Sequence, residues 1–363
     1  MLRIPRRHHY VTKAYLDGFL EPEQQHLYCY ARGRLVAFRT SPDKMANIRD
    51  FHSFRRSDGS LDFSLEMMIE SQIETPGLPI IRKLACGNTH LDVTERGRLA
   101  RLIALQHVRV PYEREFLDRQ NKENLEGYLE DMDLAAARVG RPVNAIDVAV
   151  SPTAEFPKEN SWVRITRAFV ENELAAIAAD PGKPSREVFF NIADGVGEIF
   201  AQMEWTVGYA LGCSRFVTSD RPVVMGGKNG AGAQIGITNS NCEITFPLSS
   251  TAVLQMRHSG LGNDVTGARL ARDAKPNLGD VGQEVKAARH DDAVVQHLNE
   301  VHARQAHLYV FSGIPHDWVS DSMQKPAEGT KRKKTLVDAD VFLESDNLQG
   351  GMTRKREFIV EID

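Results

Sequence analysis

The chain of 363 residues has little of what usually announces a function. No run approaches the ~18 consecutive apolar residues of a membrane-spanning helix, so no transmembrane segment is expected. The N-terminus is basic, but a polar segment stands where a secretory signal would place its apolar stretch. Cysteine is scarce: Cys29, Cys86, Cys213 and Cys242 lie far apart and form no C-x-x-C pair. That spacing argues against a disulfide framework and for reduced thiols in a cytoplasm. The twelve histidines contain no H-E-x-x-H pattern, and the G-x-S-x-G nucleophile elbow is absent. The glycine-rich run from Gly226 to Ala233 lacks the G-x-x-x-x-G-K-[ST] signature of a phosphate loop, and a hairpin loop is expected there. Lys331-Arg-Lys-Lys334 is expected to be a solvated loop rather than a localisation signal, and no internal repeat is visible.

What is present describes a globular protein, with 42% apolar and 26% charged residues. The net charge of −4 is unevenly spread. Residues 1–56 hold eleven Lys or Arg against five Asp or Glu, a balance of +6 that leaves −10 for the remainder. Either this lobe meets an anionic partner, nucleic acid being the natural one, or it docks on the acidic rest of its own chain.

The pattern along the chain predicts an α+β fold with an N-terminal β-hairpin lobe, a helical core and a C-terminal, mostly antiparallel sheet. A helix is expected over Tyr10–Phe19, entered by His8 and His9, then a hairpin of Leu27–Tyr30 and Leu35–Phe38 turning at Gly33. Ser41-Pro42 reads as a helix start and Phe51–Phe54 as a strand. Leu65, Met68, Ile69 and Ile73 mark a helix ended by Pro76-Gly77, and Leu99, Leu102, Ile103 and Val110 mark a stronger one over 95–110. A charged helix over 112–137 and a connecting loop over 140–160 follow. Two helices, about 161–179 and 186–204, are expected to bring Trp162 and Phe189 to the core. Short strands follow Arg215, with a long loop over 257–288, a helix over 290–305 and a strand at His307–Phe311. The expected division is residues 1–140 and 141–363, or one continuous domain.

Four sets of polar residues invite chemistry. His8 and His9 titrate near neutrality and are able to ligate metal or shuttle protons. Asp62, Glu66, Glu70 and Glu74 recur every four residues, an arrangement that repels itself unless cations or water relieve it. Gln106 interrupts the apolar stripe of the 95–110 helix with Arg109 at its edge; it is either a structural hydrogen-bonding pair or the floor of a polar pocket with an anion clamp. Asp220 stands at a strand end beside Arg221-Pro222, a placement shared by catalytic carboxylates and ordinary turns.

Read in order, His8-His9-Tyr10-Val-Thr-Lys-Ala-Tyr-Leu-Asp-Gly-Phe19, Asp62-Phe-Ser-Leu-Glu66, Leu102-Ile-Ala-Leu-Gln106-His-Val-Arg109-Val-Pro111, Phe216-Val-Thr-Ser219-Asp220-Arg-Pro222, Phe246-Pro247-Leu248-Ser249 and Leu298-Asn299 leading to Leu308-Tyr-Val-Phe-Ser312 resemble the bacterial domain of unknown function 4238 family. The likeness spans about residues 8 to 312; its opening departs from the family, which usually carries proline where Thr12 stands. The resemblance implies a bacterial cytoplasmic protein. It further implies that His8, His9, Glu66, Gln106, Arg109, Ser219, Asp220 and Asn299 share one site or one structural network.

Two functions are therefore expected to compete. One is a metal-dependent hydrolase, a phosphodiesterase or nuclease. In it His9, Glu66 and Asp220 hold Mg, Mn or Zn, while Gln106, Arg109 and Asp220 do the chemistry and grip the substrate. The other is a non-enzymatic binding or regulatory protein, in which the same residues lock the N-terminal arm onto the helices.

Overall fold

The computed structural model describes residues 6–56, 58–150, 161–227, 237, 241–258, 285–325 and 341–342. Arg3, most of the glycine-rich loop, most of 257–288, the Trp162 side chain and Lys331–Lys334 lie outside the described residues.

Along Arg7–His9 the side chains are exposed, buried and half-buried in turn, the signature of a strand rather than a helix entry. This strand, β1, pairs antiparallel with β4 (Asn47–Arg49), placing Arg7 opposite Arg49, His8 opposite Ile48 and His9 opposite Asn47. The helix expected from Tyr10 begins later because Thr12 caps it: its hydroxyl accepts the Tyr15 amide at 3.0 Å, and α1 (Lys13–Leu16) runs into a 3-10 turn over Asp17–Phe19. Ser41 precedes a single 3-10 turn, Pro42–Lys44. The expected strand at 51–54 is displaced: Phe51–Ser53 form a turn, and β5 (Phe54–Arg55) pairs with β6 (Leu61–Asp62).

Pro76 does not end its helix. Helix α2 (Ser64–Ile69) passes through a π-turn, Glu70–Glu74, into α3 (Thr75–Ala85), which contains Pro76 and Pro79. Neither proline donates a backbone hydrogen bond, and the wider turn resets the ladder just before the first of them. Helix α4 (Val93–Val108) starts two residues before expectation because Asp92 and Glu95 form a reciprocal capping box. Its buried face, with Leu99, Leu102 and Ile103, enters the main core together with Phe189 and Phe200. Gly77 permits the close approach of α3 and α4: a Cβ there would meet Leu102 at 2.8 Å.

The chain forms two compact units, the described residues of Met1–Glu113 with Val188–Thr330, and of Arg114–Glu187 with Lys331–Asp363; residue 140 falls inside the second. In the first unit, β9 (Glu204–Ala210), β11 (Val224–Gly227), β12 (Cys242–Ser249), β13 (Ala252–Arg257) and β14 (Lys286–His290) form a sheet in the order β11-β12-β13-β9-β14, with only β14 parallel to its neighbour. A second sheet runs β10 (Thr218–Ser219), β15 (Tyr309–Ser312), β2 (Leu27–Ala31), β3 (Phe38–Thr40), all antiparallel. Thus β2 is internal, and the N-terminal hairpin and the C-terminal strand share one sheet. Helix α8 (Asp292–Gln305) packs beside β10.

The second unit holds most of α5 (Pro111–Val139), then β7 (Ala145–Val150), β8 (Ser161–Thr166) and α6 (Arg167–Ala179). Strand β7 replaces the expected loop, and β8 takes what was expected as the first turns of a helix. Ile146 and Val148 share the buried face and complete a core with Met132, Val170 and Ile177. Helix α7 (Lys183–Gln202) then leads back to the first unit. The protein is α+β, with a helical core and mostly antiparallel sheets.

Candidate functional site

The β1–β4 ribbon turns His8 inward, where it is wholly buried. Its Nδ1 accepts the backbone N–H of His52 at 2.9 Å, so a neutral His8 carries its proton on Nε2. The two imidazoles stack with centroids 5.7 Å apart, Phe63 abuts the His8 ring edge-on, and Phe189 stacks on His52. Into this setting α2 projects Glu66. Its Oε2 lies 3.9 Å from His8 Nδ1 and 3.9 Å from His52 Nε2, is buried, and makes no hydrogen bond among the described residues. Loss of solvation is the main cause that drives the Glu66 carboxyl up from 4.5 to about 7; Arg109 opposes the rise, while Glu74 and Glu70 add to it.

A second, partly satisfied layer is built on Arg109. Arg109 is completely buried, ion-paired through Nη1 to Glu74, and donates through Nη2 to Gln106 Oε1 at 2.6 Å. Gln106 in turn donates to the Tyr10 carbonyl at 2.7 Å, tying the N-terminal arm to α4. Arg109 Nε is buried without a hydrogen-bond partner among the described residues. His9 is partly buried, with its Nε2 also unpartnered. Desolvation is the largest cause lowering its pKa, and the Arg109 charge lowers it further. Gln106 and Glu74 contact the Arg109 guanidinium directly, and His9 and Glu66 feel its charge.

Cations relieve two members of the acidic row. Asp62 pairs with Arg56 at 3.1 Å and accepts the Ser64 amide, Glu74 takes Arg109, and Glu70 stays exposed. Glu66 alone of the four faces histidines. His8 was expected only as a member of the histidine pair and of the family's polar set, Glu74 only as a member of the acidic row, and His52 was not expected at all. Strand alternation at Arg7–His9 points to His8, but only the fold brings in His52.

Asp220 makes a hydrogen-bond set of its own. Its Oδ1 accepts the His307 amide at 2.9 Å, and its Oδ2 accepts those of Leu308 and Tyr309 at 2.6 and 3.1 Å. Burial pushes its pKa up against the lowering effect of these amides. Both oxygens are thus engaged in holding β15 against β10. Asn299 similarly receives the Val217 amide at 3.0 Å and donates to the Arg215 carbonyl at 2.8 Å, and Ser219 Oγ accepts the Arg221 amide. None of the described hydrogen bonds joins Asp220 to His9, Glu66, Gln106 or Arg109. Among the described residues no group of three or more His, Cys, Asp or Glu side chains is placed to hold a metal ion. No described helix is long and apolar enough to cross a membrane.

A family model, protein of unknown function (DUF4238), matches residues 7–315, which includes every residue of both networks, and the chain belongs to this family. No curated protein and no solved structure matches it.

Proposed function

We propose that this member of the family is a hydrolase of phosphodiester bonds in which Glu66 moves the proton. The observation that carries the reading is the Glu66 Oε2, buried 3.9 Å from two imidazole nitrogens and without a hydrogen bond among the described residues. A carboxyl held at about 7 is present in both protonation states near neutral pH, the condition for efficient general acid–base catalysis. As carboxylate it takes a proton from a water attacking phosphorus; as acid it returns that proton to the leaving oxygen. One P–O bond forms, another breaks, and one water is consumed. His9, favoured in its neutral form, is the second proton acceptor, and Arg109, paired with Glu74, tempers the rise of the Glu66 pKa.

In a metal-dependent form of the reaction, Glu66 and His9 would hold Mg, Mn or Zn, which would supply Lewis acidity to the phosphate. Asp220 would join them only by giving up amides of the β15 turn. Four free cysteines support a cytoplasmic setting. The alternative, a non-enzymatic binding or regulatory protein, is favoured by the closed tie from Glu74 through Arg109 and Gln106 to Tyr10.

The test is hydrolysis of a chromogenic phosphodiester from pH 5 to 9, with and without each divalent ion. The expected profile turns near pH 7, and Glu66→Gln lowers the rate by about 10²–10⁴-fold. Equal rates for parent and variant would remove Glu66 from the chemistry. A thermal melt showing the variant folded but inactive would set the lock reading aside.

A further inference from the structure

From the connection between β2 and β3 we infer that the protein docks on anionic lipid bilayers, with Leu35 and Val36 entering the interface and Arg34 and Arg39 meeting lipid phosphates. The inference goes beyond the hydrolase reading and does not depend on it.

Leu35 and Val36 are each 77% exposed, more than any other described large apolar side chain. They are neighbours at the outer end of a hairpin, so they form one apolar tip rather than two scattered residues. Leu308, 44% exposed, stands at the same end of the sheet, where its carbonyl accepts the Arg32 amide at 2.8 Å. The base of the hairpin holds the tip out. Gly33 takes a left-handed φ of 81°, and the Arg32 side chain donates to the carbonyls of His307 at 2.9 Å, Ala306 at 2.6 Å and Met323.

The strand register sets the charges. Arg39 is opposite Tyr28, and Phe38 is opposite Cys29. Arg39 lies over the Tyr28 ring and Arg34 over the Phe38 ring, each guanidinium carbon 5.6 Å from the ring centroid. Successive strand residues face opposite ways, so the two guanidiniums flank the hairpin on its two faces, behind the apolar tip. Both arginines are exposed, and no described ion pair involves either.

Spacing and charge select the occupant. Phe38 and Arg39 stand two and three residues beyond Val36, about 7–10 Å along an extended chain. An interfacial apolar face is buried about 5–10 Å into the boundary of headgroups and acyl chains. Cations set back by that distance lie at the level of the phosphates. An anionic bilayer offers both layers at this separation and needs no pocket to receive a convex tip. A second copy of the chain fits worse. Strand β3 is the edge of its sheet and three residues long, and antiparallel pairing of two such edges about a twofold axis sets Arg39 against Arg39.

The experiment sediments the full chain with vesicles of phosphatidylcholine alone, or with about a third phosphatidylglycerol, at about 50 and 200 mM salt. Binding is expected with the anionic vesicles, falling as salt rises, and not with phosphatidylcholine alone. This contrast needs no variant. Leu35→Ser with Val36→Ser should weaken partitioning at least fivefold. Arg34→Gln with Arg39→Gln should weaken it roughly 25-fold, at about fivefold per arginine near an anionic surface. Lysine at both positions should retain most of the binding. Leu35→Trp should add fluorescence that lipids brominated on their acyl chains quench beyond the parent's own tryptophans, a signal that a folding defect does not imitate. No binding to anionic vesicles, equal binding to both kinds, an unaffected serine variant, or no added quenching would each overturn the proposal. If vesicles do not bind and the serine variant instead lowers the oligomeric state in size-exclusion chromatography, the tip is a contact between copies and the bilayer falls.

Discussion

Replacing Glu66 by glutamine keeps the shape of the side chain and removes its ionisation, which makes it the sharpest probe of the site. In the unfolded chain this carboxyl titrates at its ordinary 4.5; in the folded protein it titrates at about 7. Between those values the folded state binds the extra proton, so stability contributed by this group falls as pH rises through the window. Above pH 7 the fold carries an ionised, poorly solvated carboxylate. A difference of roughly 2.5 in pKa at about 1.36 kcal/mol each corresponds to roughly 3 kcal/mol, an upper figure because the side chain is 24% exposed. Glu66→Gln is therefore expected to stabilise the protein at pH 8 by about 1–3 kcal/mol and to be nearly neutral at pH 4.5. Urea unfolding of parent and variant at the two pH values measures the difference. A variant less stable than the parent at pH 8 would refute the reasoning, because it would mean that the carboxylate is held by a cationic partner strong enough to outweigh its desolvation.

Other perturbations test the surrounding frame. Asp220→Asn leaves one acceptor oxygen where two now serve three amides, and should cost about 2–4 kcal/mol in urea unfolding; an unchanged midpoint would discount the clamp on β15. His302, buried in α8 with Nε2 3.0 Å from Thr245 Oγ1, has its pKa lowered by burial from 6.5 to about 3. The unfolded state binds its proton first, so this contribution to stability is lost on acidification from about 6.5 towards 3. His302→Gln should flatten that acid limb in thermal melts, and an unaltered limb would exclude His302 as its source.

How much of this was legible in the sequence depends on what each residue type needs around it. Glu66, Gln106 and Arg109 could be picked out because helical periodicity places them on or beside apolar faces, where a polar group requires partners. His8 was singled out, but with the wrong geometry. A helix entry sends His8 and His9 to neighbouring directions, whereas a strand sends them to opposite faces, and only the latter buries His8 beside Glu66. Its partner strand lies some forty residues away, and nothing local in Arg7–His9 specifies it. His52 is in a turn whose sequence, Phe51-His-Ser-Phe54, also suits a strand. Asp220 illustrates a limit of another kind: a catalytic carboxylate and an amide clamp both call for Asp at a strand end beside a turn. The strand β7 was hidden because Pro142, Pro152 and Pro157 suggested a loop, although Ile146 and Val148 alternate as a strand should.

The two layers around Arg109 differ in a way that bears on why Glu66 is there. Locking the N-terminal arm requires only that Gln106 hold the Tyr10 carbonyl and that Arg109 be neutralised, and Glu74 already does the latter. Along the same acidic row Asp62 has Arg56, and Glu70 has solvent. Glu66 adds no described hydrogen bond to this frame, and its ionised form weakens the fold above pH 7. A methionine or glutamine of similar volume would serve the lock better, since a buried group that is neutral and matched in shape carries no such desolvation cost. The stacked His8 and His52 rings, held by the His52 amide, flank the Glu66 oxygen, and burial keeps the carboxyl poorly solvated. Rigid support of a destabilised carboxyl is what proton transfer at neutral pH demands and what a structural tie does not. That asymmetry, more than any single contact, favours the acid–base reading over the lock.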